Sequence, residues 1–179
     1  MRPSRRLLAV ALVAFVALAA AVGGAVAGAG ALTVRATPKR ITPAGVGGVK
    51  LGRTYTALRR DHLVGRIHRG CELDGPNARA AVLRAPLKGF VAFTQSSPRK
   101  VTTIGVSGGA TARGIGIGAS QARVRRAFPK ATVDHSTESQ FDVTLVTVPR
   151  SGGGPLQFAI VSMTKTVTMI GIPRITFCE

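Results

Sequence analysis

From Leu7 to Val34 the chain carries no charged residue, and three arginines, Arg2, Arg5 and Arg6, stand directly ahead of that run. Basic residues before an apolar stretch that ends in small residues form the pattern of a secretory signal peptide. The arginines stay on the cytoplasmic side, so the chain beyond Val34 is expected outside the membrane. Ala20 to Ala31 consists of Ala, Gly and Val, with A-x-A cleavage sites at Ala25-Val26-Ala27, Ala27-Gly28-Ala29 and Ala29-Gly30-Ala31. A leader over 1–31 and a linker over 32–43 are expected. The alternative is an uncleaved N-terminal anchor, since about 20 apolar residues cross a bilayer. Membrane attachment is expected only through that segment.

Further on, the pattern changes to short segments of two periods. After Ser120, Val124, Ala127 and Phe128 recur at i, i+3 and i+4, which predicts a helix that Pro129 ends. A second, less regular helix is predicted from Tyr55 to about Leu63, with Leu58 facing inward. Strands are predicted over 79–84, 88–94 and 99–106, then over Phe141–Leu145, 156–161 and 165–172. Pro/Gly/Ser clusters at 95–98 and 149–155 mark turns between them.

The segments repeat. Gly48-Val49-Lys50-Leu51-Gly52-Arg53-Thr54-Tyr55-Thr56-Ala57-Leu58-Arg59-Arg60 lies without a gap over Gly114-Ile115-Gly116-Ile117-Gly118-Ala119-Ser120-Gln121-Ala122-Arg123-Val124-Arg125-Arg126, an offset of 66. The same offset sets Lys100-Val101-Thr102-Thr103-Ile104-Gly105-Val106 over Thr166-Val167-Thr168-Met169-Ile170-Gly171-Ile172. Two matches at one offset point to a duplication. Thr54 and Ser120 stand where an N-cap belongs. The fold class predicted is α+β: two tandem helix-plus-antiparallel-meander units, 44–110 and 111–179, forming one compact six-stranded sheet with helices on one face. Each unit is too small to bury a core alone, and the pair is not.

Charge narrows the partners. The formal net charge of +18 falls by the three leader arginines to +15, a balance that favours wall polymers, phospholipid headgroups, nucleic acid or an acidic protein. Arg59, Arg60, Arg123, Arg125, Arg126 and Lys130 form the best basic cluster, an anionic-partner patch if the helices lie side by side. Its plainer reading is the solvated face of two helices. Nucleic-acid modules add aromatic platforms for stacking bases, and a chain with no Trp, one Tyr and seven Phe argues against that partner. Cys71 and Cys178 are expected to form a disulfide in an oxidising compartment, the alternative being two free thiols. No metal and no cofactor are expected. His62, His68 and His135 show no ligand spacing, and Gly114-Ile115-Gly116-Ile117-Gly118 fits neither a Rossmann fingerprint nor a P-loop.

The repeated Gly-apolar-x-apolar-Gly-x-[Thr/Ser] start, the short helix ending in charge and the meander resemble the repeat of the β-lactamase inhibitor protein and BamE-like (SmpA/OmlA) group. Two tandem copies in an exported chain look more like the inhibitor protein. The resemblance implies a concave sheet backed by helices and a protein-binding role. It covers roughly 40–179. That family's binding face is rich in aromatics, whereas this chain has no Trp, one Tyr and seven Phe, some of which the core must use, so no inhibitory residue carries over.

Gly105-Val106-Ser107-Gly108-Gly109 matches G-x-S-x-G, and His68, Asp74 and Ser107 have the serine-protease order. A nucleophile elbow needs a helix after the turn, and here another Gly-rich stretch succeeds it. The string reads better as a strand end and linker. The function expected is an exported, non-enzymatic binding protein of the cell envelope or extracellular space. It would engage a protein partner through its sheet face as an inhibitor. The alternative is a basic structural protein held to anionic wall or membrane polymers.

Overall fold

Thr54 and Ser120 cap helices as their positions require. Thr54 Oγ1 accepts from the Ala57 amide at 3.3 Å, and Ser120 Oγ accepts from the Arg123 amide at 3.4 Å. The computed structural model describes residues 37–151 and 154–178, and the expected leader lies outside them. In chain order the elements are β1 Lys39–Thr42, β2 Gly45–Val46, β3 Val49–Lys50, α1 Tyr55–Arg60, β4 Val64–Arg69, β5 Arg79–Leu83, β6 Lys88–Phe93 and β7 Val101–Gly108. Next come β8 Ala110–Thr111, α2 Gln121–Ala127, β9 Thr132–Asp134, α3 Glu138–Phe141, β10 Val143–Val148, β11 Leu156–Val161 and β12 Thr166–Ile172.

The protein is α+β and mostly strands. An antiparallel sheet of eight strands runs β4-β5-β6-β7-β12-β11-β10-β9, and a small mixed sheet runs β3-β2-β1-β8. Two meanders therefore meet at one seam, β7 against β12. Its register is Ile104↔Ile172, Gly105↔Gly171 and Val106↔Ile170. Each residue faces a residue of the stretch that matched it at offset 66, and Gly105 faces its own counterpart. A local two-fold relation at the seam follows from that register.

Past these three pairs the strands part, and the repeated turn before each helix fills the gap. Gly52 N donates to Val101 O at 2.8 Å, Val101 N to Arg53 O at 2.9 Å, and Tyr55 N to Arg99 O at 2.8 Å. At the other end Gly118 N donates to Val167 O at 2.8 Å, Val167 N to Ala119 O at 2.9 Å, and Gln121 N to Lys165 O at 2.9 Å. Every residue named on one side maps onto the other at the sequence offset. Gly52 and Gly118 take φ values of 76° and 81°, a left-handed turn that favours glycine. The β-bulges also correspond: Thr102 is the extra residue between β6 and β7, and Thr168 between β11 and β12.

Alternation sends side chains to two faces. The inner face supplies Val91, Ile104, Val106, Val146, Phe158, Ile160, Ile170 and Ile172, which pack with Leu58 of α1, Val124 of α2 and Val46 and Val49 of the small sheet. The outer face of the second meander has its own cluster, Val143, Leu145, Ala159 and Ile175, flanked by Phe141, Met169 and Phe177.

Three expectations need correction. The sheet has eight strands rather than six, because β4 and β9 add an edge strand to each meander. Both edges are short or charged, as exposed edges commonly are. The strand expected to start at Phe141 begins at Val143: Phe141 ends α3, and Asp142 turns left-handed at φ 52°. A third helix, α3, joins the two expected ones: α1 and α2 both pack on the inner face through Leu58 and Val124, while Phe141 of α3 packs with the outer cluster.

After β12 the chain reverses across the outer face. A Cβ on Gly171 would stand 2.5 Å from both Arg174 O and Ile175 Cγ1, so the reversal needs glycine there. Gly171→Ala is expected to cost roughly 1–3 kcal/mol by pushing the tail off the sheet. Urea denaturation checks this; an unchanged midpoint would show that the tail does not lie on Gly171.

Candidate binding site

The C-terminal tail, 173–178, covers one half of the outer face and leaves the other open. Ile175 N donates to Gln157 Oε1 at 2.8 Å, while Gln157 Nε2 donates to Thr147 Oγ1 at 3.1 Å. Phe177 stacks on Phe141 with ring centroids 4.7 Å apart. Cys178 is then bonded to Cys71, across a Cα–Cα distance of 5.4 Å and a sequence separation of 107. Closing a loop of that length stabilises the fold by about 4–5 kcal/mol in the chain-entropy model. The bond also fastens the chain's end to the first meander, as the cysteine positions imply. Arg174 reinforces the crossing with a 3.7 Å ion pair to Asp74.

Beyond the disulfide lies a trough of about 320 Å³ floored by Ala80, Val82, Phe90, Ala92 and Thr103 and walled by His68, Arg69, Cys71, Asp74, Thr176 and Cys178. The register shows why the halves differ. Phe90 faces Gly105 as Gln157 faces Gly171, and Ala92 faces Thr103 as Ala159 faces Met169. Ala80 faces Ala92 as Leu145 faces Ala159. At the position where the second meander has Gln157 to grip the tail, the first has Phe90, whose ring occupies the space beside Gly105. The second half's floor is buried, with Leu145 at 8% exposure. In the first, Ala80, the counterpart of Leu145, and Thr103 are buried as well, at 7% and 6%; the floor opens at Val82, 56% exposed, beside the partly buried Phe90 and Ala92.

The basic residues singled out by sequence fall into two groups. Thr54, ahead of α1, pairs with Lys100, and Ser120, ahead of α2, with Thr166, at opposite ends of the seam. At about 3.3 Å per residue the helices start roughly 25–30 Å apart. On α1 the charge is partly spent: Arg59 donates to Val64 O at 3.2 Å, and Arg60 and Arg53 both pair with Asp61. The Arg53 hydrogen bond holds the Asp61 carboxyl below its ordinary value. On α2, Arg123, Arg125 and Arg126 are exposed, as is Lys130 beyond it, and among the described residues none has an acidic partner.

His68, Asp74 and Ser107 are not brought together. His68 shares a cross-strand row with Ala80, Ala92 and Thr103. Ser107 sits four residues beyond Thr103, about 13 Å along the strand and about 14 Å across from β4. Among the described residues no group of three His, Cys, Asp or Glu side chains could hold a metal ion. Sequence reasoning missed the trough. Its only signal was the apolar run Ala80-Ala81-Val82-Leu83, apolar on both faces of one strand.

No protein-family model matches the chain, and no curated protein or solved structure matches it.

Under the covered half, Glu138 accepts from Thr144 Oγ1 and from His135 Nδ1, the latter at 2.7 Å. The Thr144 bond, then the His135 bond, lowers the Glu138 pKa from its ordinary 4.5. A depressed acid stabilises the fold above its unfolded pKa and loses that contribution as pH falls through the folded value. Wild type is therefore expected to lose thermal stability below about pH 4.5, and Thr144→Val to lose less of it on the same descent. Parallel melting curves between pH 7 and pH 3 would contradict the assignment.

Proposed function

We propose that this is an exported, non-enzymatic binding protein of the envelope or extracellular space, which engages a protein partner through the open outer face of its first meander. The observation that carries this reading is the half-covered sheet. One half of a continuous apolar face is closed by the chain's own tail, while in the other Val82 is exposed and Phe90 and Ala92 are partly so. A disulfide of this span belongs to oxidising compartments, which supports export. Among the described residues no helix is long and apolar enough to cross a membrane.

The two meanders are, in this reading, copies of one helix-plus-meander unit. The repeated caps, turns and bulges support that origin. They also support the resemblance to the β-lactamase inhibitor protein and BamE-like group, which extends the function to blocking a secreted partner. A second reading rests on α2: Arg123, Arg125, Arg126 and Lys130 have no acidic partner among the described residues and would hold an anionic wall or membrane polymer.

Immobilised protein exposed to envelope and culture-fluid fractions separates the two. On the binding reading, one protein is retained at a one-to-one ratio through a high-salt wash, lost with Val82→Asp and kept with Arg125→Glu/Arg126→Glu. Retention of polymer alone, released by salt and abolished by the arginine reversals, would establish the second reading, because exposed charges are screened.

A further inference from the structure

The molecule carries a template of what its open face takes. Residues 173–178 cross the second half as a segment outside any helix, and Ile175 and Phe177, two apart, both turn into the outer cluster. The segment stops at the disulfide, where Thr176 and Cys178 become the wall of the trough. The floor of the trough continues the same face of the same sheet, in a matching register. Ala80 and Thr103 stand where the second half has Leu145 and Met169, so the first half has room for side chains from outside.

Charge supplies the second constraint. Arg66 alternates with the inward Ile67 and emerges beside Val82. Arg84 follows Val82 by two positions just past the end of β5, and Lys88 precedes Phe90 by two at the start of β6; both are exposed. Among the described residues, Arg66, Arg84 and Lys88 have no acidic partner. The one carboxylate in the trough lining, Asp74, is held by Arg174.

We infer that the partner contributes an extended segment with two apolar side chains at i and i+2, flanked by carboxylates, laid across the first half as the tail lies across the second. This rests on the binding reading above and deepens it. The apolar pair fills the floor over Ala80 and Ala92, and the carboxylates meet Arg66, Arg84 and Lys88. Phe90 stands where Gln157 holds Ile175 N, so the segment is held by its apolar pair and its flanking charges rather than by an amide at that position.

The test uses the intact oxidised protein and three fluorescein-labelled peptides, Glu-Glu-Ile-Thr-Phe-Glu-Glu, Lys-Lys-Ile-Thr-Phe-Lys-Lys and Glu-Glu-Ser-Thr-Ser-Glu-Glu, read by anisotropy. The first is expected to bind about tenfold or more tighter than either control, a difference well within what charge and apolar contact supply. Arg66→Glu/Lys88→Glu should erase its advantage over the lysine peptide, and Val82→Asp should abolish binding. Equal affinity for the three peptides, or binding indifferent to Val82→Asp, would overturn the inference. A concentration-dependent dimer that Val82→Asp dissociates would also overturn it, making a second copy the occupant. The retained partner distinguishes this failure from that of the parent reading. If Val82→Asp loses the partner while no peptide binds, only the extended-segment inference fails. If the partner survives Val82→Asp, both fail.

Discussion

Three residue pairs between β7 and β12 hold the two meanders in one sheet, and the architecture follows from how short that seam is. Ile104, Gly105 and Val106 face Ile172, Gly171 and Ile170, with each glycine opposite its counterpart. A longer seam would leave no place for the turns before the helices. A short one leaves a gap at each end, which Gly52–Tyr55 and Gly118–Gln121 fill with the same hydrogen bonds. Those turns fix where α1 and α2 begin, and the helices bring Leu58 and Val124 over the inner face. One core thus forms from two units, neither of which encloses enough apolar surface by itself.

The same seam sets up the asymmetry on the other face. Its two glycines leave shallow places on the outer surface, and the chain uses them differently. Over Gly171 the backbone of Arg174 and Ile175 folds back, whereas over Gly105 the Phe90 ring lies against the strand's open side. The difference comes from one equivalent position, Gln157 against Phe90. An amide there can serve the tail's backbone, and a phenyl ring cannot. With the disulfide fastening the tail's end to Cys71, the covered half is held closed by covalent and polar contacts together. The open half shows Val82, with Phe90 beside it, and near them Arg66, Arg84 and Lys88, which have no acidic partner among the described residues.

Much of the frame was legible in the sequence, for physical reasons. The offset of 66 located both N-caps because capping needs a hydroxyl at one position, and it located β7 and β12 because both glycines and the flanking branched residues recur. Central strands show as apolar runs, so 79–84, 88–94, 156–161 and 165–172 fell within a residue or two of the observed elements. The edges did not show: β4 mixes Gly65 with Arg66, His68 and Arg69, and β9 is only Thr132–Asp134. Helical periodicity showed that Arg123, Arg125 and Arg126 face solvent, yet it carries no information about where a helix is anchored. The trough stayed hidden because a strand that is apolar on both faces reads the same whether its second face is covered or bare. Only the tail's path decides that.

Methyl NMR with a soluble paramagnetic agent would measure the asymmetry of the outer face directly. In the oxidised protein the account predicts strong attenuation of the Val82 methyls and protection of the Leu145 methyls, which sit beneath the tail. Reducing the disulfide should raise attenuation at Leu145 and leave Val82 as it was. Equal attenuation of the two in the oxidised protein would contradict a half-covered face, and with it the proposed binding surface.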